Sequence, residues 1–136
     1  MPRVLAVNAI MIYADRPAEL SRWYQEQLGL ASVLNPADSC YYGELGKWED
    51  GSPVHFGIYP AREPLGNGPR PTMINYRVAD LPAATRELQA NGVVIENVVE
   101  ESYGSFAYIR DPEGNLVELW AEKLTDSQPI TSRQPR

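Results

Sequence analysis

One piece of punctuation occurs twice in this chain. Asp15-Arg16-Pro17 and Asp80-Leu81-Pro82 each read as a helix start. An acidic side chain there can accept hydrogen bonds from free backbone amides, and a proline in the first turn loses no hydrogen bond. Gly29 and Gly92 each read as a left-handed stop. The two starts lie 65 residues apart and the two stops 63. Leu20, Trp23, Tyr24 and Leu28 share one face of the first helix, and Leu81, Ala84 and Leu88 one face of the second. Both stripes belong on a core, and Trp23 reads as packing.

Strand-like runs flank each helix in the same order. Residues 7–14 precede the first helix and 72–79 the second, both rich in Ile, Val, Tyr and Met. Three further runs follow each helix: 31–34, 40–45 and 54–59, then 93–98, 105–110 and 116–121. A repeated order of elements implies a duplicated β-α-β-β-β unit and an α+β fold. Residues 61–71 hold three prolines and two glycines, which block both helix and ladder pairing. The expected organisation is one domain over 1–122, with modules 4–60 and 72–122, a linker at 61–71 and a C-terminal tail at 123–136. A chain of 136 residues is long enough to bury one such core.

Charge excludes some partners. The net charge is −6 and no Lys/Arg cluster occurs, so the electrostatic attraction that dominates nucleic-acid binding is missing. Met1-Pro2-Arg3-Val4 lacks the apolar core of a signal peptide, and no apolar run approaches the ~20 residues that span a bilayer. A cytoplasmic protein with no membrane partner is expected. Cys40, the single cysteine, can form neither an internal disulfide nor a cysteine-cage metal site, and reads as a small apolar filler.

Asp111-Pro112-Glu113-Gly114-Asn115 reads as a hairpin turn, with Pro presetting φ and Gly taking positive φ. Set between Phe106-Ala107-Tyr108-Ile109 and Val117-Glu118-Leu119, it resembles the last hairpin of the vicinal oxygen chelate superfamily, which holds glyoxalases, bleomycin resistance proteins and extradiol dioxygenases. The helix ending Trp23-Tyr24-Gln25-Glu26-Gln27-Leu28-Gly29-Leu30 shares the resemblance, which covers roughly residues 4–122.

That resemblance implies two modules forming an open, cup-shaped mixed sheet with the helices outside, a ligand cleft inside, and a homodimer. In metal-dependent members four side chains projecting into the cup hold a divalent cation. The first place, seven residues before the helix-capping Asp, is Asn8 here, and its counterpart in the second half is Met73. Asn is a weak neutral ligand and a thioether a poor one for such ions. The place in the last strand is Glu118. The fourth lies in residues 53–59, where His55 is the strong donor on offer. Alternation puts His55, Gly57 and Tyr59 opposite Val54, Phe56 and Ile58, and the apolar set belongs under the helix. Two donors of four make an incomplete shell, so no cofactor is expected; a divalent metal, if held, would use His55, Glu118 and Asn8. Otherwise Glu118 pairs with Arg77 or hydrogen-bonds Asn8.

The same alternation turns Met73, Asn75 and Arg77 inward, together with Leu116, Glu118 and Trp120, while Tyr42 lies on a strand rimming the cup. Such a cleft suits a small, partly apolar molecule whose anionic or carbonyl group Arg77 could meet. The first reading is therefore a bleomycin-resistance-like binding protein, with Asn8, Tyr42, His55, Met73, Asn75, Arg77 and Trp120 touching the ligand. The alternative is a metal-dependent lyase, isomerase or dioxygenase-type enzyme acting on a carbonyl substrate, with Glu118 as catalytic base or ligand. No nucleophile elbow, phosphate-binding glycine loop or His-x-x-x-His pair fixes a substrate.

Overall fold

Apolar residues at alternate strand positions need one covered face, and in a β-α-β-β-β unit the helix supplies the cover. A computed structural model of the chain describes residues 3–123. Its elements run β1 (Ala9–Ala14), α1 (Pro17–Leu28), β2 (Val33–Asn35), β3 (Cys40–Lys47), β4 (Pro53–Pro60), β5 (Met73–Arg77), α2 (Leu81–Ala90), β6 (Asn97–Glu100), β7 (Gly104–Arg110) and β8 (Leu116–Glu122). This is the expected α+β fold of two β-α-β-β-β modules. The chain divides into two compact units at Gly68/Pro69. Each holds one four-stranded mixed sheet, of order β1-β4-β3-β2 and β5-β8-β7-β6. Within each sheet the first and last strands pair parallel and the others antiparallel. No helix among the described residues is long and apolar enough to cross a membrane.

In the first module Ile12, Ala14, Phe56 and Ile58 are buried beneath Leu20 and Tyr24 of α1, and the Tyr24 and Phe56 rings meet edge-on at 5.3 Å. Trp23 is half-buried and packs against Tyr24 at 5.0 Å, as a packing residue should. In the second module Leu81 and Leu88 of α2 cover a face made of Ala107, Ile109, Val117 and Leu119. The sequence stripes and strand alternation thus locate both cores.

The helix starts differ. Asp80 is the N-cap of α2, its Oδ1 accepting from the Ala83 amide at 2.9 Å. Asp15 does not cap α1: the N-cap is Arg16, which provides no side-chain cap. The Asp15 carboxylate accepts instead from the Leu65 and Gly66 amides, at 2.8 and 3.1 Å, and so ties down the chain that leaves β4. Gly29 (φ 70) and Gly92 (φ 86) take the left-handed conformation expected of them.

Two strands are displaced from their sequence-predicted positions. The second strand-like run of the second half is predicted at 93–98, yet β6 is Asn97–Glu100, because the Val93 amide is spent on the Leu88 carbonyl in the helix C-cap. In the first half 31–34 becomes Val33–Asn35. Residues 31 and 32 dock elsewhere: the Ala31 carbonyl sits where a Cβ on Gly43 would be, and the Ser32 and Ser21 hydroxyls share a 2.6 Å hydrogen bond.

The 111–115 turn is a buried polar knot. Asp111 Oδ1 accepts from the Glu113 and Asn115 amides, both at 2.9 Å, and its Oδ2 from the Asn115 side chain at 2.8 Å. Arg70 adds an ion pair to Glu113 at 3.1 Å, and Gly114 takes φ 89. The expected tail lies outside the described residues except for Lys123, whose amide donates to the Tyr103 carbonyl.

Candidate functional site

Each helix covers one face of its sheet, so the register of the strands decides which side chains occupy the other. In the second module Met73, Asn75 and Arg77 stand opposite Leu116, Glu118 and Trp120, and Tyr108 and Phe106 of β7 oppose Glu118 and Trp120 from the far side. These are the residues the alternation placed on one face, joined by two aromatic residues. Asn75 Nδ2 donates to Glu118 Oε1 at 2.6 Å. Around that pair lies a concavity of about 550 Å³, lined by Asn75, Glu118, Val99, Glu101, Phe106, Tyr108 and Trp120.

One wall is a ring stack. Phe106 and Trp120 lie 5.6 Å apart and nearly parallel, at 22°, and Tyr103 flanks them both. The Trp120 ring crosses Gly104 so closely that a Cβ there would collide with it, and the Ala121 carbonyl would lie 2.6 Å from that Cβ. A side chain at 104 would therefore dismantle the wall.

Arg77 does not pair with Glu118, which is held by Asn75 instead. Its Nη2 meets Glu122 Oε2 at 2.7 Å, and the guanidinium lies 6.0 Å from the centre of the Trp120 ring. Arg77 stands opposite Trp120, two places past the Asn75–Glu118 pair, so the nearest carboxylate onward along that face is Glu122. The Glu122 side chain is almost fully buried, while that of Arg77 is 40% exposed.

In the first module the open face carries Ala9, Met11 and Tyr13, opposite His55, Gly57 and Tyr59. Tyr42 opposes Gly57, and its ring meets Tyr59 edge-on at 5.6 Å. A Cβ at Gly57 would lie 2.8 Å from Met11 Sδ and 3.0 Å from the Tyr59 ring, so the neighbours have closed over that position. Burial, then the nearby Cys40 and Asp38, push the Tyr42 phenol above its usual range. Asn8 lies just before β1, exposed, and its backbone carbonyl accepts from the His55 amide at 2.9 Å.

The two modules also give a register for the metal positions. Met73 stands seven residues before the N-cap Asp80; seven before the N-cap Arg16 stands Ala9, not Asn8. Ala9 pairs with His55 as Met73 pairs with Leu116, and Met11 pairs with Gly57 as Asn75 pairs with Glu118. The counterpart of Glu118 is therefore Gly57, and His55 corresponds to Leu116. Counting from Asp15 displaces the first position by one residue, because that carboxylate serves the 65–66 loop rather than the helix. A methyl, a thioether and a glycine offer nothing to a hard divalent ion, so the donor set does not fit a four-ligand site. Among the described residues no three His, Cys, Asp or Glu side chains gather as a metal-holding group.

Of the residues singled out in sequence, Asn75, Glu118 and Trp120 line the concavity. Met73 and Arg77 share its face, and Asn8, Tyr42 and His55 belong to the first module. Phe106, Tyr108, Glu101 and Val99 were missed. The first two were legible as alternate positions of 104–110, whereas Glu101 sits in the turn before β7, where no period applies.

The chain matches the Glyoxalase/Bleomycin resistance protein/Dioxygenase superfamily over residues 6–119. None of the curated proteins matches it. Among solved structures it is similar to lactoylglutathione lyase from Agrobacterium tumefaciens, with 18% identity and TM-score 0.67 over 88% of this chain and 95% of that one. A glyoxalase/dioxygenase from Nostoc punctiforme matches at 15% identity and TM-score 0.66, over 91% and 99%. An integron cassette protein from the mobile metagenome of the Halifax Harbour sewage outfall matches at 18% and 0.66, over 87% and 99%. At such identities the likeness is one of fold.

Proposed function

Because the chain belongs to the glyoxalase/bleomycin resistance protein/dioxygenase superfamily, we propose that it binds a small, partly apolar molecule on the open face of its second module and holds no complete metal site. The observation that carries this reading is the concavity in which a Phe106–Trp120 wall stands beside the hydrogen-bonded Asn75–Glu118 pair. An apolar wall with a few fixed polar groups is the usual make-up of a small-molecule site. The metal-free part is supported by the donor chemistry at Ala9, Gly57 and Met73.

A second reading is an enzyme in which Glu118 takes a proton from a carbon beside a carbonyl. It is favoured by the position of that carboxylate inside the concavity, with one oxygen fixed by Asn75. In that reaction Asn75 would orient the base and the ring wall would exclude water from one side.

The test joins calorimetric screening of small aromatic and carbonyl compounds with metal analysis by mass spectrometry on protein purified without chelator. Binding that shifts the Trp120 indole signal, with metal well below one equivalent, is the expected result. Stoichiometric metal lost in Glu118→Gln would overturn the metal-free reading. Turnover that vanishes in Glu118→Gln while binding persists would establish the enzymatic one, and no binder across the screen would remove both.

A further inference from the structure

The charges around the concavity specify its ligand further. Two carboxylates line it, Glu118 half-buried and Glu101 exposed, and no Lys or Arg is among its lining residues. The nearest basic groups on the same sheet face are held elsewhere. Arg77 pairs with Glu122 at 2.7 Å; Arg110 pairs with Glu96 at 3.3 Å and donates to the Gly114 carbonyl at 3.1 Å. Asn75 is the amide donor inside the site, and its Nδ2 is given to Glu118. Phe106, Tyr108 and Trp120 complete the lining with rings, whose negative faces attract cations.

A carboxylate or phosphate entering this space would meet two negative charges and no cation among the lining residues, the nearby Arg77 being paired with Glu122, in a chain of net charge −6. A positive group meets two acceptors and an aromatic wall. We propose that the concavity of the second module receives an organic cation, a protonated amine or quaternary ammonium on an apolar body, with Glu118 and Glu101 reading the charge and the Phe106–Trp120 stack holding the body. This rests on the reading of that concavity as the binding site and reverses the sign of ligand that Arg77 suggested in the sequence.

The experiment uses three phenyl compounds of similar size: benzylammonium, benzyl alcohol and benzoate. Each is titrated into 15N-labelled full-length protein while the Trp120 indole and the Glu101 and Glu118 amides are followed. Benzylammonium should bind about tenfold more tightly than benzyl alcohol, and benzoate more weakly than either. Glu118→Gln and Glu101→Gln should each lower benzylammonium affinity about three- to tenfold, a larger loss than either causes for benzyl alcohol. On the unaltered protein, raising salt from about 50 to about 500 mM should weaken the cation alone, a readout independent of any variant. Equal affinities, or a preference for benzoate, would overturn the cation assignment while the site itself stands. No shift at Trp120 with any of the three would overturn the site as well. Mn²⁺ alone broadening Glu101 and Glu118 and displacing benzylammonium would show that the carboxylates serve a metal, and would sink the proposal.

Discussion

Asn75 and Glu118 face each other across the parallel β5–β8 pair, and the amide of one donates to the carboxylate of the other at 2.6 Å. The contact is solvent-facing, so its worth is positional more than energetic. A double-mutant cycle of Asn75→Ala and Glu118→Gln, followed by urea denaturation, should give a coupling of about 0.5 kcal/mol. Asn75→Ala alone should weaken a ligand that touches the carboxylate about three- to tenfold, since the charge stays and only its orientation is lost.

The unequal helix starts yield a paired test. Asp80→Ala removes the acceptor of the Ala83 amide and should lower stability by about 1 kcal/mol, with loss of helical circular dichroism as denaturant is raised. Asp15→Ala should leave the helical signal unchanged and increase hydrogen exchange at the Leu65 and Gly66 amides, its partners here. Fraying of α1 in the second variant would show that Asp15 is a cap after all.

Gly104→Ala should cost about 2–3 kcal/mol in urea denaturation, because the added methyl meets the Trp120 ring and a backbone carbonyl that cannot retreat. The same variant should change the near-ultraviolet signal of Trp120. Gly29→Ala meets no atom within 4 Å, so it should carry only the left-handed backbone penalty of about 1 kcal/mol.

Cys40 is fully buried. Burial, then its hydrogen bond to Asp38, push the thiol above its usual range, and Tyr42 is shifted the same way. The unfolded chain therefore releases these protons at lower pH than the native one, so it binds fewer of them in the alkaline range. The contribution of these two groups should be constant below the ordinary thiol pKa of about 8.5, and stability should fall as pH rises beyond it. Disulfide-reagent labelling of Cys40 at pH 8 should run more than about a hundredfold slower in the native protein than in denaturant, since the thiol reacts only after opening.

Periodicity, capping residues and glycine stops were enough to order both modules and to pick out the residues beneath each helix. Those signals are local and repeat every two or 3.6 residues. That Met73, Asn75, Arg77, Glu118 and Trp120 share one face was legible for the same reason. What a count along the chain could not supply was how one element answers another. Asp15 looks identical to Asp80 in sequence, and only the loop at 65–66 decides that its carboxylate turns away, which moves the first-module register from Asn8 to Ala9. Gly57 carries no side chain to draw attention, yet pairing across β1, β3 and β4 makes it the counterpart of Glu118. The partner of Arg77 depended on which of several carboxylates lay within reach once β8 was in place, and that choice set the sign of charge left around the concavity. Backbone conformation is written in neighbouring residues; charge pairing is decided by distances between residues far apart in the chain, and those exist only after folding.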